Sequence, residues 1–187
     1  MFANAQTGNV VLMSQHFMQK EWGQGVHYLL PVLSFALGVF LAERLGHRFK
    51  ETRRIHWRQL VLGLEIVLLL AVGLIPVGYN MIATMLVSLA CAMQVQAFRT
   101  VNGYGYASTM CIGNLRSGTE SLSAYLRDRR PEALKKALHY YGIIVIFALG
   151  AGLGSVLSLA LGLRAIWVSC GLLGIDCVLM CRRSLRV

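Results

Sequence analysis

The chain has 187 residues, of which 56% are hydrophobic and only 14% charged, with a mean hydropathy of +0.59. That balance excludes an ordinary soluble domain, in which about a quarter of the residues are charged. The formal charge of +10 would suit nucleic acid, but the placement of the basic residues described below excludes that partner.

Residues 1–25 are small and polar and hold the run Ala5-Gln6-Thr7-Gly8-Asn9-Val10-Val11. They carry no cleavable signal pattern, so the later apolar segments must direct insertion. The apolar stretch 10–18 is too short to span and predicts a re-entrant or interfacial half-helix. Asn9 is placed to cap its start, since Asn accepts from free backbone N–H groups.

The first charge-free segment, 26–42, begins a four-residue series of Ser34, Gly38, Ala42 and Gly46. That spacing puts the small residues on one helix face, where a second backbone can approach closely. After a basic loop, Trp57 opens the second segment, 59–76, and Glu65 lies eight residues on. A tight turn at 76–80 leads into the third segment, 80–98, which carries Gln94 and Gln96 near its end. Segment 99–136 is rich in Gly, Tyr, Ser and Arg and contains Met110-Cys111-Ile112-Gly113-Asn114-Leu115. An amphipathic helix is expected over about 115–126, and Pro131 should start the next helix. The fourth segment, 137–163, carries Gly150, Gly154, Ser158 and Gly162 at the same four-residue spacing. Trp167 opens the fifth, 165–181, which holds Asp176 nine residues later. Each segment spans or nearly spans a ~30 Å hydrocarbon core, which needs roughly 17–25 helical residues. Both tryptophans fit the interfacial aromatic belt.

All but Lys20 and Arg164 of the 18 basic residues fall on alternate connections: 43–58, 99–136 and the tail 182–187. Such loops are expected on the cytoplasmic side. This places the C-terminus inside and residues 1–25 outside, and accounts for the charge without nucleic acid.

The chain also repeats itself. The Gly-Asn pair at Gly8-Asn9 recurs at Gly113-Asn114. Phe35-Ala36-Leu37-Gly38 recurs at 147–150, and Leu62-Gly63-Leu64-Glu65 as Leu173-Gly174-Ile175-Asp176. The offsets are about 105, 112 and 111 residues, so order and spacing are kept. In this register Gly38, Ala42 and Gly46 correspond to Gly150, Gly154 and Ser158. Three spans per repeat make the second copy enter upside down, an inverted repeat of the kind seen in secondary transporters and channels. The first repeat, about 1–79, lacks the opening span that the second, about 80–187, has at 80–98. One helix is therefore expected ahead of residue 1: five spans here, six in the full architecture.

The runs Phe2-Ala3-Asn4-Ala5-Gln6-Thr7-Gly8-Asn9-Val10-Val11-Leu12, Ala92-Met93-Gln94-Val95-Gln96-Ala97 and Ile112-Gly113-Asn114-Leu115 resemble the YoaK-type transmembrane family. This is a bacterial domain of unknown function, and the likeness extends over essentially the whole chain. The resemblance implies a six-span inner-membrane protein with a helix ahead of the Thr-Gly-Asn element. This sequence departs in lacking that helix, as a late start codon or truncated gene model would produce, and in having Ile112 where Thr is usual. The resemblance implies an architecture and no substrate.

At 1.5 Å per residue, Glu65 and Asp176 fall about 12–14 Å from their interfaces, near the midplane. An ionisable group there is costly and is read as functional by default, against the plainer reading of a protonated acid bonded across helices. Gln94 and Gln96 suit ligand contact or interhelical hydrogen bonds equally. Thr7, Gly8, Asn9, Gly113 and Asn114 would present backbone groups at half-helix ends. The five cysteines form no CxxC pair and read as core residues. The five histidines show no metal-ligand spacing, and no nucleotide, esterase or metalloprotease motif is present.

These readings predict an all-α polytopic helical bundle, a single integral membrane domain of the bacterial inner membrane. No metal, cofactor or enzymatic activity is expected. The expected function is transport or permeation of a small polar solute or ion, with the lipid bilayer as surroundings and a homo-oligomer possible. The alternative is a non-transporting membrane scaffold or assembly protein.

Overall fold

A computed structural model describes residues 3–49, 57–101, 103–106 and 109–184. Seven α-helices account for nearly all of them: α1 (Gln6–Met18), α2 (Trp22–Phe49), α3 (Trp57–Leu74), α4 (Asn80–Ala97), α5 (Cys111–Asp128), α6 (Pro131–Leu161) and α7 (Ile166–Ser184). A two-residue ladder, β1 (Thr100–Val101) with β2 (Tyr104–Gly105), joins α4 to α5. Lys50, Arg53 and Arg54 of the first basic loop, and Arg186 of the tail, lie outside the described residues.

Four stretches are long and apolar enough to cross a membrane: Trp22–Phe49, Trp57–Leu74, Asn80–Ala97 and Pro131–Cys181. The protein is thus an all-α, multi-pass membrane protein. The five expected segments become four stretches because the last two run on as 51 residues, interrupted by a 3₁₀ turn at Gly162–Ala165. Gly162 takes φ +60° there, a left-handed conformation costly to any residue with a Cβ.

The helix boundaries follow local chemistry. α5 stops where Arg129 turns left-handed (φ 53°) and returns its N–H to the Tyr125 carbonyl at 2.8 Å. Pro131 then opens α6, as its locked φ and missing N–H favour at a first helical position.

The chain divides into two compact units, Met1–Ala97 with Ala160–Val187, and Phe98–Leu159. In the first, α1 and α2 form a hairpin. Phe17 lies against Gly25, where any Cβ would strike its ring, and His16 stacks on Tyr28 with centroids 5.4 Å apart. α2 and α4 run parallel. The Ser88 hydroxyl of α4 donates to the Pro31 carbonyl of α2 at 2.8 Å, and Gln96 further along α4 donates to Glu43 further along α2. Between these contacts the two backbones nearly touch, because a Cβ on Gly38 would meet the Leu89 carbonyl oxygen and the Ala92 methyl. This is the close approach expected of the small-residue face, and Ser34, Gly38 and Ala42 are all buried. α3 runs antiparallel to α7: Gln59 bonds Cys181, the Cys170 thiol donates to the Ile66 carbonyl, and the Trp167 indole donates to the Leu70 carbonyl. The two tryptophans therefore sit at opposite ends of this helix pair. Arg58 donates to the Ala97 carbonyl at 3.0 Å, placing a cation at the C-terminal end of α4 where free carbonyls favour it.

In the second unit, Tyr140 of α6 donates to the Gly105 carbonyl at 2.9 Å and so ties the ladder to α6. α5 buries Asn114, Gly118 and Ser121. A Cβ on Gly118 would lie 3.2 Å from Tyr140 Cβ, so this small residue lets α5 rest on α6. The expected amphipathic helix is present and begins four residues earlier than read from the pattern, because the Gly-Asn pair belongs to it.

Candidate functional site

Both Gly-Asn pairs lie inside helices, and neither forms a turn. α1 starts at Gln6 with Ala5 as its uncapped N-terminal neighbour, and α5 starts at Cys111 behind Met110. Asn9 is therefore the fourth helical residue and not the cap expected of it. Its amide donates to Gln6 Oε1 at 3.3 Å, while its own N–H bonds the Ala5 carbonyl. Asn114 holds the same fourth position in α5 and its amide reaches back to the Met110 carbonyl at 3.1 Å. Each asparagine is only 3% exposed. Thr7, Gly8 and Gly113 are exposed. The register of the pair is thus identical in the two copies.

The first turn of α1 reaches into the interior of its unit. Gln6 Nε2 donates to Ser88 Oγ at 3.0 Å, and Ser88 donates onward to Pro31. Pro31 lies nine residues into α2 and Ser88 eight into α4, or about 12–14 Å along each helix. The first turn of α1 is therefore held against interior turns of α2 and α4 and not against their ends. Ser88 is fully buried. Gln6, Pro31 and Ser88 were not among the sequence candidates. The signal was a proline and a serine inside otherwise apolar spans, which only the Gln6 contact turns into a constellation.

Glu65 occupies the inward face of α3 with Val61, Leu62, Leu69 and Val72, and is 3% exposed. Its Oε2 is buried and makes no hydrogen bond among the described residues. The thiols of Cys91 on α4 and Cys170 on α7 lie within electrostatic range of it. Cys91 is three residues beyond Ser88, so α4 carries both features within one turn. Asp176 does not join them. α7 turns Cys170 and Leu173 inward and leaves Asp176 exposed, so the two repeat-related acids do not form one buried pair. Gln94 is half-buried. Gln96 binds Glu43, the interhelical role that was the plainer of its two readings.

Away from the spans, the C-terminal end of α5 is fully solvated. There a hydrogen bond from Arg127, at 2.9 Å, holds the Asp128 carboxyl below the usual carboxylate range. Burial pushes the Tyr106 phenol up.

Compared with models of protein families, residues 1–179 match the family described as protein of unknown function DUF1275. The chain belongs to the DUF1275 family. This agrees with the YoaK-type resemblance, since YoaK-type proteins are DUF1275 members. No curated protein and no solved structure matched. The DUF1275 description assigns no chemistry, so any must come from these residues. A buried carboxyl can take up and release a proton or hold a cation. A half-helix start supplies backbone N–H groups and the positive end of a helix dipole.

Proposed function

We propose that this DUF1275 protein moves a small polar solute or ion across the membrane, with Glu65 as its proton or cation site. The observation that carries the reading is a buried carboxyl oxygen in the middle of an apolar span, with no hydrogen bond among the described residues. Such a group is costly and is retained where an ion or proton pathway uses it. The half-helix reaching Ser88 and Pro31 supports the same reading, because broken helices near mid-depth are where transporters built from inverted repeats bind their substrates. Each copy holds three helices with the longest in the middle, of 13, 28 and 18 residues in one and 18, 31 and 19 in the other, which supports the repeat. The exposed Asp176 favours the rival reading of a scaffold whose acids meet partner helices.

Proton flux separates the two. In proteoliposomes with a trapped pH-sensitive dye and an imposed potential, the parent chain should dissipate a pH gradient. Glu65→Gln keeps shape and most hydrogen-bonding capacity and should abolish that flux while inserting normally. A Glu65→Gln, Asp176→Asn protein that still conducts protons would rule out the mechanism.

The orientation proposed is that of the bacterial inner membrane with the basic connections and the C-terminus inside. Single cysteines at positions 21 and 129, in a background without native cysteines, should label from outside and inside respectively. Strong external labelling at 129 would reverse the assignment.

A further inference from the structure

Within the second unit, the end of α5, the start of α6 and the ladder line a cavity of about 330 Å³. That is the size of a small ligand site, which runs from about 300 Å³ upwards. Its wall carries Tyr104 of β2, Asp128 of α5, Arg130 between the helices, and Glu132 and Lys136 of α6. Tyr104 is held in place, since it pairs with Val101 in the ladder and packs on His139 and Tyr140. The charges are not matched as their spacing invites. Glu132 and Lys136 lie four residues apart on one helix, where an acid and a lysine pair readily. Here the Lys136 ammonium turns instead to the Tyr104 ring, 5.7 Å from its centroid. Among the described residues, none of Arg130, Glu132 and Lys136 forms an ion pair. Asp128 is already matched by Arg127 at 2.9 Å. Two cations and one carboxylate without counter-ions therefore line a common space.

α6 carries no Asp, Glu, Lys or Arg between Lys136 and its end at Leu161. The cavity therefore lies where that helix passes from charged to apolar sequence, the level of lipid headgroups in a bilayer. A ligand that matches the wall carries a phosphate for Arg130 and Lys136 and an ammonium for Glu132. We propose that this cavity binds the headgroup of a zwitterionic phospholipid, a phosphodiester joined to a primary ammonium as in phosphatidylethanolamine. Arg130 and Lys136 hold the phosphate through charge-assisted hydrogen bonds, and Glu132 accepts from the ammonium. A quaternary choline has no N–H to donate to Glu132. The Tyr104 face that could take a choline by cation–π contact is occupied by Lys136. The glycerol headgroup of an anionic phospholipid leaves the Glu132 charge unmatched. This binding is independent of transport.

The test is native mass spectrometry of the full chain, released from detergent micelles that hold phosphatidylethanolamine, phosphatidylcholine and phosphatidylglycerol in equal amounts with the same acyl chains. The ethanolamine lipid should give a one-lipid adduct several-fold more abundant than either of the others. Glu132→Gln should remove that preference. Arg130→Gln should lower the adduct several-fold, and Lys136→Gln serves where Arg130→Gln fails to insert. Glu120→Gln, on α5 but outside the cavity and paired with Arg116, should leave the preference unchanged. Glycerophosphoethanolamine, which has the headgroup without acyl chains, should bind far more weakly. Equal adducts of the three lipids, a parent chain that prefers the choline or glycerol lipid, or an ethanolamine preference that survives Glu132→Gln overturns the proposal. A soluble headgroup bound as tightly as the lipid overturns the lipid as its source.

Discussion

Gly38→Leu should separate α2 from α4 and leave little protein that survives mild heating in detergent. Even the first carbon of a side chain at Gly38 meets the Leu89 carbonyl oxygen, a backbone atom that cannot rotate aside, and the Ala92 methyl 2.8 Å away. Overpacking a flexible core costs about 1–3 kcal/mol, and a rigid contact costs more. The displaced pair would also loosen the Ser88–Pro31 and Gln96–Glu43 bonds on either side. Gly150→Leu provides the internal comparison. Nothing lies within 4 Å there, so the same substitution should shift the melting midpoint of the isolated chain little. Equal losses at the two positions would show that the packing of α2 on α4 is not as described.

That contrast also marks how far the sequence could be read. The spans were legible because a bilayer demands about twenty apolar residues in a row, whatever packs beside them. The start of α6 was legible at Pro131, and the close contact at Gly38 was legible in the four-residue spacing, since both are local rules. The rotation of a helix about its own axis is not local. Glu65 and Asp176 hold matching places in the sequence pattern, yet one is buried and the other exposed. The Gly-Asn pairs misled for a related reason. Glycine and asparagine favour turns and caps in isolation, but at the fourth position of a helix an asparagine can still bond within the first turn, as Asn9 does to Gln6. The contact that seats α1 could not be read from the local pattern. It joins Gln6 to Ser88, 82 residues away.

Glu65→Leu should make the protein more stable and inactive at once. The two side chains are of similar volume, so the buried face of α3 that Glu65 shares with Val61, Leu62, Leu69 and Val72 needs little rearrangement. The carboxyl oxygen Oε2 has no hydrogen bond among the described residues, so removing it breaks none there. A buried polar group left without a partner costs about 1–3 kcal/mol, and leucine removes that cost while adding apolar contact. A gain of about 1–2 kcal/mol in reversible unfolding is therefore expected, together with loss of the proton flux proposed for the parent chain. Such a gain would mean that the acid is kept at the expense of stability, as functional groups in apolar surroundings are. A carboxyl that serves only to hold α3 against its neighbours gives the opposite result, since its removal would strand bonded partners and lower stability. A Glu65→Leu protein less stable than its parent would therefore assign Glu65 to the framework and leave the transport reading without its site.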